Sequence, residues 1–200
     1  MSLNSNPLPL SAESLIALVH NYYRADKAFH LRRENSPEEE RFLARWRQEH
    51  EKMDQWEAFA DELGAALPRF MVRNITSTCD ASFRCAVYSR SENEQPPSRW
   101  VVVGCVSILA PVYAVYGVQY SYPGGRGGPR NTDQVFLESF PPEMQTPAEV
   151  MARKLEATFG LTALPRELAR TPIPLIVEPK EPPHTTLFDA LFISRPDSVP

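Results

Sequence analysis

A chain of 200 residues with 42% hydrophobic residues is long enough to bury a core, and this length predicts one domain over residues 1–200. No apolar run approaches the roughly 18 residues of a membrane helix, and the first ten residues lack the pattern of a signal peptide. We therefore expect a cytoplasmic protein with no membrane partner, whose three cysteines stay reduced.

The net charge of −4 is unevenly distributed. Between Ser11 and Leu67 there are eight Lys or Arg and twelve Asp or Glu, and this region accounts for the whole negative excess. It therefore predicts an acidic surface. No comparable basic cluster occurs elsewhere, so nucleic-acid binding is not expected.

The first third of the chain has the pattern of two helices. Apolar residues at three- and four-residue spacings predict a helix from about Ala12 to about Leu31. A second helix begins after Ser36, because Ser36 suits the N-cap, Pro37 the first position and Glu39 the capping box. It continues to Leu67, and the two helices are expected to form a hairpin over residues 12–67.

Residues 79–140 have the pattern of a four-stranded antiparallel meander. Alternation in the first strand places Arg84 and Tyr88 on the solvent face, and the second strand is apolar on both faces and therefore central. The predicted strands are Phe83–Tyr88, Trp100–Leu109, Val112–Tyr122 and Val135–Phe140.

The remaining residues, 147–194, predict a helix and an extended tail. Thr146 and Pro147 suit a helix start, and Gly160 suits its end. Prolines from Pro165 to Pro183 exclude long helices and indicate an extended segment across the body, with Leu187–Ser194 as its apolar anchor. The predicted fold class is α+β.

No motif for a metal, nucleotide or other cofactor is present, so none is expected. The glycine-rich loop lacks the spacing of a phosphate-binding loop, and its Arg126 and Arg130 are instead candidates for contact with an acidic partner. Cys85 and Cys105 fall on inward strand positions and predict core packing, whereas Cys79 lies in a loop and is the thiol to test for reactivity.

Tyrosines concentrate in the third predicted strand. Alternation places Tyr116, Tyr120 and Tyr122 on one face and Tyr113 on the other. Sheet packing explains such residues, and so does a protein interface, where tyrosine is enriched.

The layout, with the phrases FRCAVYSR, LAPVYAVYGV, ATFG and TLFDALFIS, resembles small uncharacterised bacterial proteins of the immunity type. The resemblance implies a cytosolic inhibitor that occludes a cognate toxin, and it carries over no functional residues. An acidic surface suits steering toward a basic toxin.

Two alternatives remain beside this protein-binding interpretation. One is an enzyme, for example a Cys79-dependent hydrolase or transferase, and the other is a scaffold or assembly subunit. The residues predicted to contact a protein partner are Glu38, Glu39, Glu40, Tyr113, Tyr116, Tyr120, Arg126 and Arg130.

Overall fold

The computed structural model describes residues 10–26, 35–89, 100–121 and 131–199. The helices are α1 (Ala12–Val19), α2 (Pro37–His50), α3 (Met53–Ala66), α4 (Pro142–Phe159), α5 (Arg166–Ala169) and α6 (Leu187–Leu191). The strands are β1 (Phe70–Asn74), β2 (Ser82–Ser89), β3 (Trp100–Ser107), β4 (Val112–Ser121), β5 (Asn131–Phe136) and β6 (Thr162–Ala163). The fold is α+β, as the sequence predicts.

Within the described residues the sheet has six strands rather than the predicted four. Five of them form an antiparallel meander in the order β1-β2-β3-β4-β5, and the two-residue β6 pairs in parallel with β4. β1 and β6 are absent from the sequence prediction, and β5 lies at Asn131–Phe136 instead of Val135–Phe140. β3 is central, as predicted, and most of its residues are buried.

The predicted helical hairpin is wrong in two respects. α1 ends at Val19, packs against the C-terminal helix α6, and is followed by turns; the predicted residues 27–31 lie outside the described residues. The predicted second helix is divided into α2 and α3 at Glu51 and Lys52.

Aromatic packing gives the physical reason for this break. Trp46 of α2 and Trp56 of α3 both contact the ring of Phe83, with centroid distances of 5.3 and 5.7 Å. In one straight helix, ten residues would separate the two tryptophans by about 15 Å along the axis. A bend between them allows both to reach Phe83.

Helices α3 and α4 cover one face of the sheet. Gly104 of β3 faces α4 so closely that an added Cβ would clash with the side chain of Met151, and Gly117 of β4 similarly faces Met144. The sequence predicts that α4 begins at Pro147, whereas in the structure it begins at Pro142. Pro147 is buried inside the helix. The predicted end at Gly160 is confirmed by its left-handed conformation, with φ of 64°.

The C-terminal segment covers the opposite face, near the start of β2. Ser82 Oγ donates a hydrogen bond to the Phe192 carbonyl at 3.0 Å, and Phe188 packs edge-on against Tyr116. The predicted anchor is buried from Leu187 to Ser194, but it contains the short helix α6. Because this face is covered, the prediction that Arg84 faces solvent is wrong: Arg84 is only 5% exposed.

Candidate functional site

The three acids predicted to contact a partner lie in the first turn of α2. Glu39 closes the predicted capping box with Ser36, and its other carboxylate oxygen pairs with Arg24 at 3.1 Å. Glu38 pairs with Arg41 at 2.9 Å, and a hydrogen bond from a backbone amide contributes most to lowering the pKa of this carboxyl. Two of the three acids are therefore engaged locally, whereas Glu40 is exposed.

A second group of acids lies on α3 and forms what we call the acidic stripe: Asp54, Glu57 and Asp61. Their spacing of three and four residues places them on one helix face, and all three are exposed. The opposite face is buried in the core. α3 contains no Lys or Arg, and no described basic residue forms an ion pair with the stripe.

Asp54 lies in the first turn of α3, where the helix dipole favours a negative charge, but the other two acids of the stripe do not stabilise this helix. Glu57 and Asp61 are like charges at i and i+4, a spacing that destabilises a helix by about 0.2–0.5 kcal/mol. Asp61 also lies in the C-terminal half of α3, where the helix dipole disfavours a negative charge. The stripe therefore leaves a negative potential that a cationic surface would neutralise.

The tyrosines of β4 are buried rather than exposed. Tyr113, Tyr116 and Tyr120 are 4%, 0% and 3% exposed. Tyr113 donates a hydrogen bond to Glu156 of α4 at 2.6 Å, whereas Tyr116 contacts the C-terminal segment, so the predicted opposite orientation of these two is confirmed. These side chains pack in the core and are not accessible to a partner. Arg126, Arg130 and Tyr122 lie outside the described residues.

Buried phenols make the fold sensitive to alkaline pH. Burial raises the pKa of Tyr23, Tyr113 and Tyr116 above its usual value near 10. Below about pH 10 each buried phenol makes its full contribution to the free energy of unfolding. This contribution is lost as the pH rises toward the raised pKa, because the phenol of the unfolded chain ionises first. We expect the urea midpoint to fall progressively above about pH 10.

The variant Tyr116→Phe provides the control for this loss of stability at alkaline pH. The Tyr116 hydroxyl lies near the buried Arg84 guanidinium but meets no strict hydrogen-bond geometry among the described residues, so its removal is expected to lower the free energy of unfolding at neutral pH by no more than about 1 kcal/mol. The fall in midpoint above pH 10 should be shallower in this variant. An identical pH dependence in the two proteins would contradict the assignment of Tyr116 as a buried neutral phenol.

The three cysteines differ in exposure as predicted. Cys85 and Cys105 are fully buried, and burial raises the pKa of both thiols, that of Cys105 to about 12. Cys79 is exposed and lies at a cleft. No histidine is present among the described residues that line this cleft, so none supplies a base to the Cys79 thiol there.

The cleft has a volume of about 400 Å³ and lies between the N-terminal helices and the C-terminal segment. The turns after α1 supply Tyr22 and Tyr23, and α2 supplies Phe42. The loop before β2 supplies Cys79 and Asp80.

Asp80 connects the cleft to the buried Arg84. Its Oδ2 accepts from the Arg84 guanidinium at 2.7 Å, and the Asp80 side chain is 18% exposed. Burial raises the pKa of this carboxyl, and the nearby Arg84 charge offsets that effect only in part. The Asp80 carbonyl also accepts a hydrogen bond from Trp46 Nε1 at 2.8 Å, which holds the loop against α2.

The chain was compared with protein-family models, curated proteins and solved structures. None of the three comparisons found a match. The immunity-type resemblance therefore stays a prediction.

Two further observations concern the described residues. In the described part of the chain, no three His, Cys, Asp or Glu side chains are grouped so that they could hold a metal ion. No helix among the described ranges combines the length and apolarity needed to cross a bilayer.

Sequence reasoning found the acidic region but not its exposed centre. The signal for the stripe is present in the sequence, since Met53–Ala66 contains four acids and no base. The cleft has no such signal, because Tyr22, Asp80 and Ile176 are far apart in the chain and meet only in the fold.

Proposed function

We propose that this chain is a cytosolic protein-binding module, an immunity protein that neutralises a cognate bacterial toxin by occluding it. The observation that carries the proposal is the acidic stripe of Asp54, Glu57 and Asp61, three exposed carboxylates with no described basic partner. Such a surface attracts a basic protein and orients its approach. The resemblance to immunity-type proteins supports the choice of a toxin as the partner.

Co-expression tests this function directly. The protein should rescue cells from the toxin encoded beside its gene and should co-purify with that toxin as a stable complex. Rescue without a complex would indicate protection by another route and would contradict occlusion. Failure of both rescue and co-purification would contradict the immunity proposal.

The acidic stripe predicts how the complex forms. In the variant Asp54→Asn/Glu57→Gln/Asp61→Asn, the association rate constant at low salt is expected to fall by about 10-fold. The dissociation rate should change less, because exposed rim charges act mainly on encounter. Stopped-flow or surface binding at several salt concentrations measures both rates.

A matched variant controls for net charge. Glu143, Glu149 and Glu167 are also exposed, and Glu143→Gln/Glu149→Gln/Glu167→Gln changes the total charge by the same amount on α4 and α5. This control should associate at the wild-type rate. Equal slowing in both variants would mean that total charge, and not the acidic stripe, steers the partner.

A further inference from the structure

A second cleft, with a volume of about 420 Å³, lies where α2, α3, the turn between β3 and β4 and the end of α4 meet. We call it the α3–α4 cleft. Three aromatic residues line it, and the ring of Trp56 lies 5.7 Å from that of Phe83 and 5.9 Å from that of Phe159. Further apolar lining comes from Leu109, Pro111 and Leu161. A cleft of this size with a largely apolar lining is typical of a site for a small ligand.

The charged side chains at this cleft leave one positive charge in excess. Of the described residues that line it, three are charged: Arg45, Glu49 and Lys52. Both bases pair with the same carboxylate, Arg45 Nη2 with Oε1 at 2.9 Å and Lys52 Nζ with Oε2 at 2.7 Å. Neither base forms an ion pair with another acid in the described part of the chain. Glu49 therefore compensates one of the two bases, and one positive charge remains.

The two bases also keep donors that a ligand could use. Arg45 donates through Nε to the Ile108 carbonyl at 2.6 Å and through Nη2 to Glu49, whereas its Nη1 has no hydrogen-bond partner among the described residues. Lys52 contacts only the two oxygens of Glu49. The side chains of Arg45 and Lys52 are 36% and 57% exposed, so an anion can reach them without displacing Glu49.

We infer that the α3–α4 cleft binds a small monocarboxylate with an apolar body, whose carboxylate pairs with Arg45 and Lys52 and whose body packs on the aromatic lining. One carboxylate balances one excess positive charge and accepts strong hydrogen bonds from a guanidinium or an ammonium group. A phosphate monoester carries about two negative charges at neutral pH and would exceed that balance. The inference goes beyond the proposed function, because its ligand is a small molecule and not a protein.

Hydrocinnamate, a phenyl ring on a short carboxylate chain, is the probe. In a titration at low salt followed by proton–nitrogen NMR, we expect a Kd of about 1 mM or lower. The amide signals of Gln55, Ala110 and Leu161, which line the cleft, should shift, whereas those of β5 should not. The absence of binding, or shifts confined to other parts of the chain, would overturn the inference.

Three matched compounds separate the charge of the probe from its apolar body. Hydrocinnamamide has the same body without the charge and should bind about 10-fold more weakly, because a hydrogen bond to a charged group is lost. Phenylpropylamine, which carries the opposite charge, should not shift the cleft signals. Acetate keeps the carboxylate without the ring and should also bind at least about 10-fold more weakly. If any of the three binds as tightly as hydrocinnamate, the inference is wrong.

The variant Lys52→Gln removes the excess charge and leaves the pair between Arg45 and Glu49 in place. Because the Lys52 side chain is 57% exposed, the fold is expected to persist, and circular dichroism checks this. The affinity for hydrocinnamate should fall about two- to fivefold, whereas the affinity for hydrocinnamamide should stay the same. An unchanged affinity for hydrocinnamate would contradict the assignment of Lys52 to the site.

Lys154→Gln is the control for net charge. Lys154 of α4 pairs with Glu62 of α3 at 3.6 Å and does not line the cleft, so its replacement removes the same charge elsewhere. This variant should bind hydrocinnamate with the wild-type affinity. Equal weakening in the two variants would show that total charge, and not the α3–α4 cleft, attracts the carboxylate, and it would overturn the inference.

Discussion

Replacement of Asp80 by alanine is expected to lower the free energy of unfolding by about 3–5 kcal/mol. Arg84 is 5% exposed, and its ion pair with Asp80 is made through Nη2 at 2.7 Å. Its Nε and Nη1 are buried and have no hydrogen-bond partner among the described residues. Removal of Asp80 would therefore leave a buried cation without its compensating charge. Urea unfolding followed by far-UV circular dichroism measures the change.

The double variant Asp80→Ala/Arg84→Met provides the control. Methionine fills much of the volume of the arginine stem and carries no charge, so the double variant is expected to recover most of the lost stability. A loss below about 1 kcal/mol in Asp80→Ala alone would be typical of an exposed ion pair. That result would contradict the buried position of Arg84.

Replacement of Trp56 by alanine is expected to cost about 3–5 kcal/mol of stability. Trp56 is 2% exposed and stacks on Phe59 of the same helix at 5.0 Å. It also contacts Phe83 of β2 and Phe159 of α4, at 5.7 and 5.9 Å. One side chain thus connects α3, the sheet and α4, and its loss would leave a cavity where these elements meet.

Leu43→Ala is the matched control for this loss. Leu43 is 41% exposed on α2, and its truncation is expected to change the free energy of unfolding by about 0.5 kcal/mol or less. Similar losses in Trp56→Ala and Leu43→Ala would show that α3 is not held by this aromatic cluster. Chemical denaturation of both variants under one set of conditions makes the comparison.

Local signals in the sequence predict several elements well. The capping box at Ser36 and Glu39 and the left-handed Gly160 both appear at the predicted positions. Each of these signals acts within one helical turn, so no distant contact is needed to produce it. The burial of Cys85 and Cys105 also follows from strand patterning alone.

Structural features that depend on tertiary contacts cannot be predicted from local sequence signals. Nothing near Glu51 marks a helix break, because the break is set by the contacts of Trp46 and Trp56 with Phe83. Alternation in β2 correctly separates two faces, but it does not say that a C-terminal segment more than a hundred residues away covers the face of Arg84. Alternation alone therefore predicts that Arg84 is exposed, although the structure buries it.

In the candidate site, too, the sequence predicts some features and only the structure reveals others. The negative excess before Leu67 is visible in the sequence, whereas the distinction between paired and unpaired acids requires the structure. Glu38 and Glu39 are paired with Arg41 and Arg24, whereas Asp54, Glu57 and Asp61 of α3 have no ion-pair partner among the described residues. The concentration of tyrosines in β4 is typical of an interface, but these side chains are buried under α4 and the C-terminal segment.

We propose that the acidic stripe of α3 recruits a basic protein partner. The most direct test of this proposal is the association rate constant with the co-expressed toxin, compared between the stripe variant Asp54→Asn/Glu57→Gln/Asp61→Asn and the control Glu143→Gln/Glu149→Gln/Glu167→Gln. We predict about 10-fold slower association for the stripe variant at low salt, wild-type behaviour for the control, and convergence of all three proteins at high salt. Equal rates in the stripe variant and the wild-type protein at low salt would contradict the claim.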